Sequence, residues 1–150
     1  MDATFFQIAI VVESMEESRR QLSERMGTMF TEPITIDMLV EVDGQIHERQ
    51  IQVCFSKHQL PHLELIYATG TPWYDGRTGL HHLAVWTEDV ESDVKALVEA
   101  GGHVVARRVD ENGRPCGFYY VKQKGGPVIE ILSARRQPEL RALMGDGVLS

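Results

Sequence analysis

The chain has no Lys/Arg run, no CxxC pair and no apolar stretch approaching the roughly 20 residues needed to span a bilayer. It carries 15 Lys and Arg against 22 Asp and Glu, a net charge of −7. Nucleic acid and anionic membranes both require a positive footprint, so neither is an expected partner. A small molecule or another protein is expected instead. No basic N-terminal segment leads into an apolar stretch and a small-residue cleavage site, which gives a cytoplasmic location as the expectation. Cysteine is scarce: Cys54 and Cys116 lie far apart and suggest neither a disulfide framework nor a thiolate metal site. What the sequence does have is 43% hydrophobic and 25% charged residues over 150 positions, enough to bury one core.

It also has an internal repeat. The segment from Phe6, FQIAIVVESMEESRRQLSERMG, lies without a gap over the segment from His81, HHLAVWTEDVESDVKALVEAGG, at an offset of 75. Ala9 then meets Ala84, Glu13 meets Glu88, Leu22 meets Leu97 and Gly27 meets Gly102, while Gln7 falls on His82. A second pair matches at an offset of 66: HLELIYA from His62 over VIEILSA from Val128, with Glu64 on Glu130. The smaller offset means that the second half is shorter in its middle hairpin.

Each half predicts the same order of elements. An apolar β-branched strand (4–12 and 80–87) hands over to a helix (15–26 and 90–100), and three strands follow (35–42, 47–57, 62–68 and 103–109, 117–123, 128–133). Ser14 and Asp89 are the N-cap candidates, with Gly27 and Gly101–Gly102 as the stops. Asp43-Gly44 is a good hairpin pair, and residues 110–113 make the other turn. Residues 70–79 link the halves, and a tail from 136 to 150 carries a short helix near 138–144. The expected fold is a single α+β domain built from two tandem βαβββ modules, about 4–69 and 79–135, whose curved mixed sheet surrounds a central cavity.

Period-two alternation puts Phe5, Gln7, Ala9 and Val11 on one face of the first strand and His82, Ala84 and Trp86 on one face of its counterpart. His81 alternates to the other face and is expected to be structural. Glu64 shares a face with His62 and Ile66, and Glu130 with Val128 and Leu132. A carboxylate among apolar same-face neighbours is costly unless it is paired or bound to a metal. Taken singly, a strand Glu usually faces solvent and a His beside an apolar run usually packs in the core or sits on the surface. Four such residues at positions matched by the repeat point instead to a shared site, and Gln7, Glu64, His82 and Glu130 are the expected metal ligands.

With this layout and these residues, the sequence resembles the vicinal oxygen chelate superfamily, which includes glyoxalase I, methylmalonyl-CoA epimerase, extradiol dioxygenases and bleomycin-resistance proteins. The resemblance spans about residues 5–134. It implies that the first and last strands of each half supply the ligands, and the order Gln7, Glu64, His82, Glu130 looks like that of some glyoxalase I enzymes. One imidazole, one amide oxygen and two carboxylates suit one divalent ion, Zn, Ni, Co, Mn or Fe, without choosing among them. The implied activity is that of a metal-dependent isomerase, epimerase or lyase acting on a carbonyl-containing small molecule through an enolate-type intermediate. Glu130 is the first candidate base, faced by Glu64 or Gln7 from the other half. A homodimer is also implied. Two alternatives stay open: a non-catalytic antibiotic-binding protein, and an extradiol-type dioxygenase, which needs a second His where Gln7 stands.

Glyoxalase I holds the carboxylates of glutathione with cationic side chains, one of them an Arg four residues after the first ligand. Val11 stands there in this sequence and Trp86 at the matching place in the second half, which points away from glutathione. The middle strands offer Met38, Val40, Phe55, Phe118 and Tyr120 for an apolar lining. Arg107, Arg108 and Arg114 could meet an acid or phosphate, with a solvated hairpin the favoured reading, and the linker aromatics Trp73 and Tyr74 either cover the pocket mouth or pack at a dimer contact, with packing favoured.

Overall fold

The computed structural model describes residues 2–58, 60–68, 70–74 and 77–144. Residues 75–76 of the expected linker and 145–150 of the expected tail lie outside the described residues. The first half contains β1 (Ala3–Val11), α1 (Met15–Met26), β2 (Ile34–Val42), β3 (Gln45–Phe55) and β4 (His62–Tyr67). The second contains β5 (Gly79–Thr87), α2 (Val90–Glu99), β6 (His103–Val109), β7 (Pro115–Lys122) and β8 (Val128–Ser133), followed by α3 (Gln137–Met144).

Local chemistry accounts for the helix ends. Ser14 Oγ accepts from Glu17 N–H at 3.2 Å, and Asp89 Oδ1 accepts from Ser92 N–H at 3.1 Å, each satisfying a donor that a first helical turn leaves open. Gly27, at φ +65°, closes α1 in the left-handed conformation that glycine adopts without a Cβ penalty. Asp43 and Gly44, at φ 51° and 78°, form the two-residue turn between β2 and β3.

The eight strands close into a barrel in the order β1-β4-β3-β2-β6-β7-β8-β5. β1 with β4 and β5 with β8 run parallel, and the other neighbours are antiparallel. This is the α+β, curved mixed-sheet arrangement expected from the repeat, with each parallel pair joined by a crossover that contains a helix. The seams between halves are β1–β5 and β2–β6. The first is long, from Ala3↔Thr87 to Val11↔Gly79; the second registers only Leu39↔Val109, Val40↔Arg108 and Glu41↔Arg107. Both helices cover the outside of the barrel. α1 packs Met15 and Leu22 with Cys54, Leu65 and Phe30, and α2 packs Val90, Val94 and Leu97 with Val85, Val121 and Ile131.

Two bulges in the β1–β5 seam break the alternation assumed from sequence. The register passes from Phe5↔Val85 to Gln7↔Ala84, leaving Phe6 as an extra residue, and from Ala9↔His82 to Ile10↔Leu80, leaving His81 as another. Phe5, expected to share the inner face with Gln7, is therefore 47% exposed, while Phe6 is 2% exposed and stacks on Trp86 with ring centroids 4.1 Å apart. His81, expected on the outer face, instead joins the side of the strand where His82 lies.

Candidate metal centre

The four expected ligands sit on the β4–β1–β5–β8 strip in two adjacent cross-strand rows. One row runs His62, Gln7, Ala84, Glu130; the next runs Glu64, Ala9, His82, Val128. The polar residues thus alternate around Ala9 and Ala84, both completely buried. Two methyl groups in the middle of the pattern leave a hollow into which four longer side chains can turn their heads.

They do meet. Gln7 Nε2 donates to Glu64 Oε2 at 2.7 Å and to Glu130 Oε2 at 3.5 Å. His82 Nε2 lies 3.0 Å from Glu130 Oε2 and 3.6 Å from Glu64 Oε2, yet it makes no hydrogen bond. The contact has ion-pair distance without donor geometry. One donor atom each from Glu64, His82 and Glu130 fall within 4.8 Å of one another. The Glu64 and Glu130 side chains are only 14% and 8% exposed.

Two further histidines set the orientation of this cluster. His62, fully buried, donates from Nε2 to Gln7 Oε1 at 2.9 Å. On the other side, His81 Nε2 lies 2.9 Å from the Trp73 carbonyl, which can only accept, so that nitrogen carries hydrogen. In neutral His81 the Nδ1 lone pair then accepts from His82 Nδ1 at 2.8 Å. The chain of bonds leaves the Nε2 of His82 as a bare lone pair aimed at the two carboxylates.

Burial holds both carboxyls well above the ordinary range; His82 opposes the rise at Glu64 and Glu130 adds to it, while the more distant Arg136 opposes the rise at Glu130. Burial also keeps His82 and His62 neutral by lowering their proton affinity. No Lys or Arg among the described residues forms an ion pair with Glu64 or Glu130. A buried lone pair without a hydrogen bond, beside two carboxylates that no Lys or Arg contacts directly, fits a divalent ion. Gln7 currently turns its N–H toward the carboxylates and its oxygen toward His62. Turning the amide over brings Oε1 to the carboxylates and Nε2 to His62, whose Nε2 then accepts from it with the proton moved to the unpartnered Nδ1.

The cluster forms the buried end of a cavity of about 510 Å³. Met38, Phe55, Phe118 and Tyr120 line it as anticipated, whereas Val40 is core without reaching it. The Tyr74 and Tyr120 hydroxyls stand 3.2 Å apart on its wall. Trp73 and Tyr74, expected at a contact between chains, are 5% and 2% exposed within their own chain, because the 3-10 turn at Pro72–Tyr74 folds back against His81. The solvated-hairpin expectation fails at Arg108, which lines the cavity together with Arg136 and Glu139 from the tail. It also fails at Arg107, half-buried, whose Nε donates to Glu41 Oε1 at 2.9 Å across the β2–β6 seam. Sequence reasoning also missed His62, although its shared face with Glu64 was a usable signal. For His81 and Arg136 there was none.

Comparison with known proteins shows the family and the fold. The profile of the glyoxalase/bleomycin resistance protein/dioxygenase superfamily matches residues 6–120, and the chain belongs to that family. A protein of Brassica oleracea var. gemmifera, named by inference as a lactoylglutathione lyase, is 32% identical over 77 residues, 51% of this chain. The match spans 27% of that longer protein. Among solved structures, a hypothetical protein from Bacillus halodurans C-125 superposes with a TM-score of 0.63 at 14% identity, covering 91% of this chain and 98% of that one. Methylmalonyl-CoA epimerase from Mycobacterium tuberculosis superposes with a TM-score of 0.57 at 16% identity, covering 92% and 91%. At these identities the structural likeness is one of fold. Among the described residues, no helix is long and apolar enough to cross a membrane.

Proposed function

We propose that the protein is a metal-dependent isomerase, epimerase or lyase of the glyoxalase type, removing a proton next to the carbonyl of a small-molecule substrate. The observation that carries this reading is the convergence of Gln7, Glu64, His82 and Glu130 at the buried end of the cavity. These four residues are the ones to hold a divalent ion, drawn from Zn, Ni, Co, Mn and Fe. When bound, such an ion supplies Lewis-acid stabilisation of negative charge developing on a carbonyl oxygen.

The chain's own residues do the rest. Glu130 accepts the substrate proton, and Glu64, reaching in from the other half, is the second carboxylate able to carry it. Their raised proton affinity suits groups that must take up and return a proton near neutral pH. The Tyr74 and Tyr120 hydroxyls, kept protonated by burial, offer hydrogen bonds to substrate oxygen. Met38, Phe55 and Phe118 exclude water from the apolar body of the ligand. One chain supplies all four candidate ligands, so the proposed homodimer is not needed to assemble them. A cytoplasmic location belongs to the same proposal.

Elemental mass spectrometry on protein purified without chelator or nickel column tests the centre. About one equivalent of a divalent transition metal is expected, lost in Glu64→Ala/Glu130→Ala. Solvent deuterium exchange next to the carbonyl of a processed substrate then tests the chemistry. A Glu130→Gln protein that keeps both metal and full exchange would overturn the assigned base. Failure to take up any of the five metals would replace the enzyme reading with capture of a small molecule, the alternative that the apolar cavity walls favour.

A further inference from the structure

We infer that Arg108 and Arg136 form a carboxylate subsite on the cavity wall, which selects carbonyl substrates bearing a second, acidic group. The subsite rests on the carbonyl chemistry proposed for the buried end and adds the substrate class.

Arg108 comes from β6 at the short β2–β6 seam, and Arg136 from the 3-10 turn Ala134–Arg136 that follows β8. Both side chains cross the same bare stretch of β7. A Cβ added at Gly117 would lie 2.9 Å from Arg108 Cδ and 3.1 Å from Arg136 Nη1. Glycine at this position is what lets two long cationic side chains lie over the strand side by side, in a chain whose net charge is −7. Two cationic side chains crossing one strand position repel each other unless an anion lies near both.

One carboxylate already does so in part. Glu139 of α3 accepts from Arg136 Nε and Nη2, both at 3.1 Å, in the fork geometry that guanidinium and carboxylate share. Its side chain is 59% exposed, so the pair is held loosely by its surroundings. Arg108 makes no hydrogen bond or ion pair among the described residues. The second acid on this stretch of the lining, Asp37, accepts from Gln50 Nε2 at 3.0 Å. Arg108 acts on Glu139 through space without a hydrogen bond, so its donors stay open and Glu139 marks the kind of anion that fits. Met38, Phe55 and Phe118 line the same cavity as the arginines and the Glu64/Glu130 pair. The matching ligand carries a carbonyl, an apolar body and a carboxylate.

Benzoylpropionate, an aromatic ketone with a remote carboxylate, and its neutral amide form a suitable pair of probes, titrated calorimetrically into metal-loaded and chelator-treated protein. The acid is expected to bind about tenfold more tightly than the amide, the effect of one charge-assisted contact. Arg108→Gln and Arg136→Gln should each bring the acid close to the level of the amide while leaving the amide unchanged. Glu139→Gln, which releases Arg136 from its internal partner, should strengthen the acid selectively. Equal binding of acid and amide, an acid preference that survives both arginine substitutions, or no binding of either probe would overturn the subsite. The two readings separate cleanly. Acid preference in a protein that takes up no metal defeats the enzyme reading alone, whereas metal binding and proton exchange without acid preference defeat the subsite alone.

Discussion

In the first half of the molecule, the polar residue that heads the repeat, Gln7, is oriented from the neighbouring strand: His62 of β4 donates to its Oε1. The equivalent of His62 in the second half is Val128, which sits beside His82 in the same register but offers no hydrogen bond. His82 takes its orientation from its own strand instead, through the bulged His81 and the Trp73 carbonyl. The repeat conserves the positions of the four polar heads around Ala9 and Ala84 while each half supplies its own means of aiming them. A precise donor set therefore does not require precise internal symmetry. It requires that the amide and the imidazole each have one buried partner on the side away from the cluster.

Breaking the cluster at its carboxylates should give the largest effect, and the same effect from either half. Glu64→Ala and Glu130→Ala should each abolish tight metal uptake in calorimetric titration; uptake retained in one of them alone would make the halves unequal as donors.

Removing the orienting residues comes next. His62→Leu and His81→Leu should each lower metal affinity by about 10–100-fold in competition with a chelator, because a ligand that must find its own orientation binds less well. Nitrogen chemical shifts should report His82 as the Nδ1–H tautomer in the parent and lose that signature only in His81→Leu. Unchanged affinity and tautomer there would remove the Trp73–His81 chain from the site.

A smaller effect concerns pH, in protein freed of metal. Burial raises Glu64 and Glu130 to about 8 and lowers His62 and His82 to about 4. The raised carboxyls favour folding while protonated, so their contribution is present below about pH 4.3 and is lost as pH rises toward 8. The lowered histidines contribute above about pH 6.5 and lose that contribution as pH falls toward 4. Between about pH 6.5 and 8 only the carboxyl effect changes, and the thermal midpoint should fall. Glu64→Gln/Glu130→Gln should flatten that fall, and a parent midpoint that climbs over the same interval would contradict it.

The smallest effect sharpens a second asymmetry. Arg108 and Arg136, the cations that line the cavity, both come from the second half or its tail. Gly117→Ala should push their side chains apart and blunt the acid preference, at a stability cost of about 1 kcal/mol, because Arg136 Nη1 and Arg108 Cδ can move aside while Arg108 Cβ, 3.2 Å from the added methyl, yields little. A loss of several kcal/mol would mean that Gly117 serves the strand rather than the arginines.

The repeat itself was legible because it is written in apolar spacing, caps and turn pairs, which act over a few residues. Ser14, Gly27, Asp43-Gly44 and Asp89 all end or turn the chain where the sequence puts them. The positions of Gln7, Glu64, His82 and Glu130 were legible for the same reason, since a residue that matches its repeat partner inherits its place on the strand. Their convergence was an expectation only, because it depends on which strands become neighbours.

What the sequence alone determined is thus the two modules, the family likeness and the four polar heads. The tertiary structure decided the rest. Pairing β1 with β5 introduced the bulges that turn Phe6 and His81 inward, a register effect between segments more than 70 positions apart that no local pattern encodes. Barrel closure through β2 and β6 carried Arg108 from an apparent hairpin surface to the cavity, and the tail brought Arg136 and Glu139 to meet it. Local sequence fixes which way a side chain leaves its strand only while alternation holds; the partner strand decides where alternation breaks and what the side chain then faces.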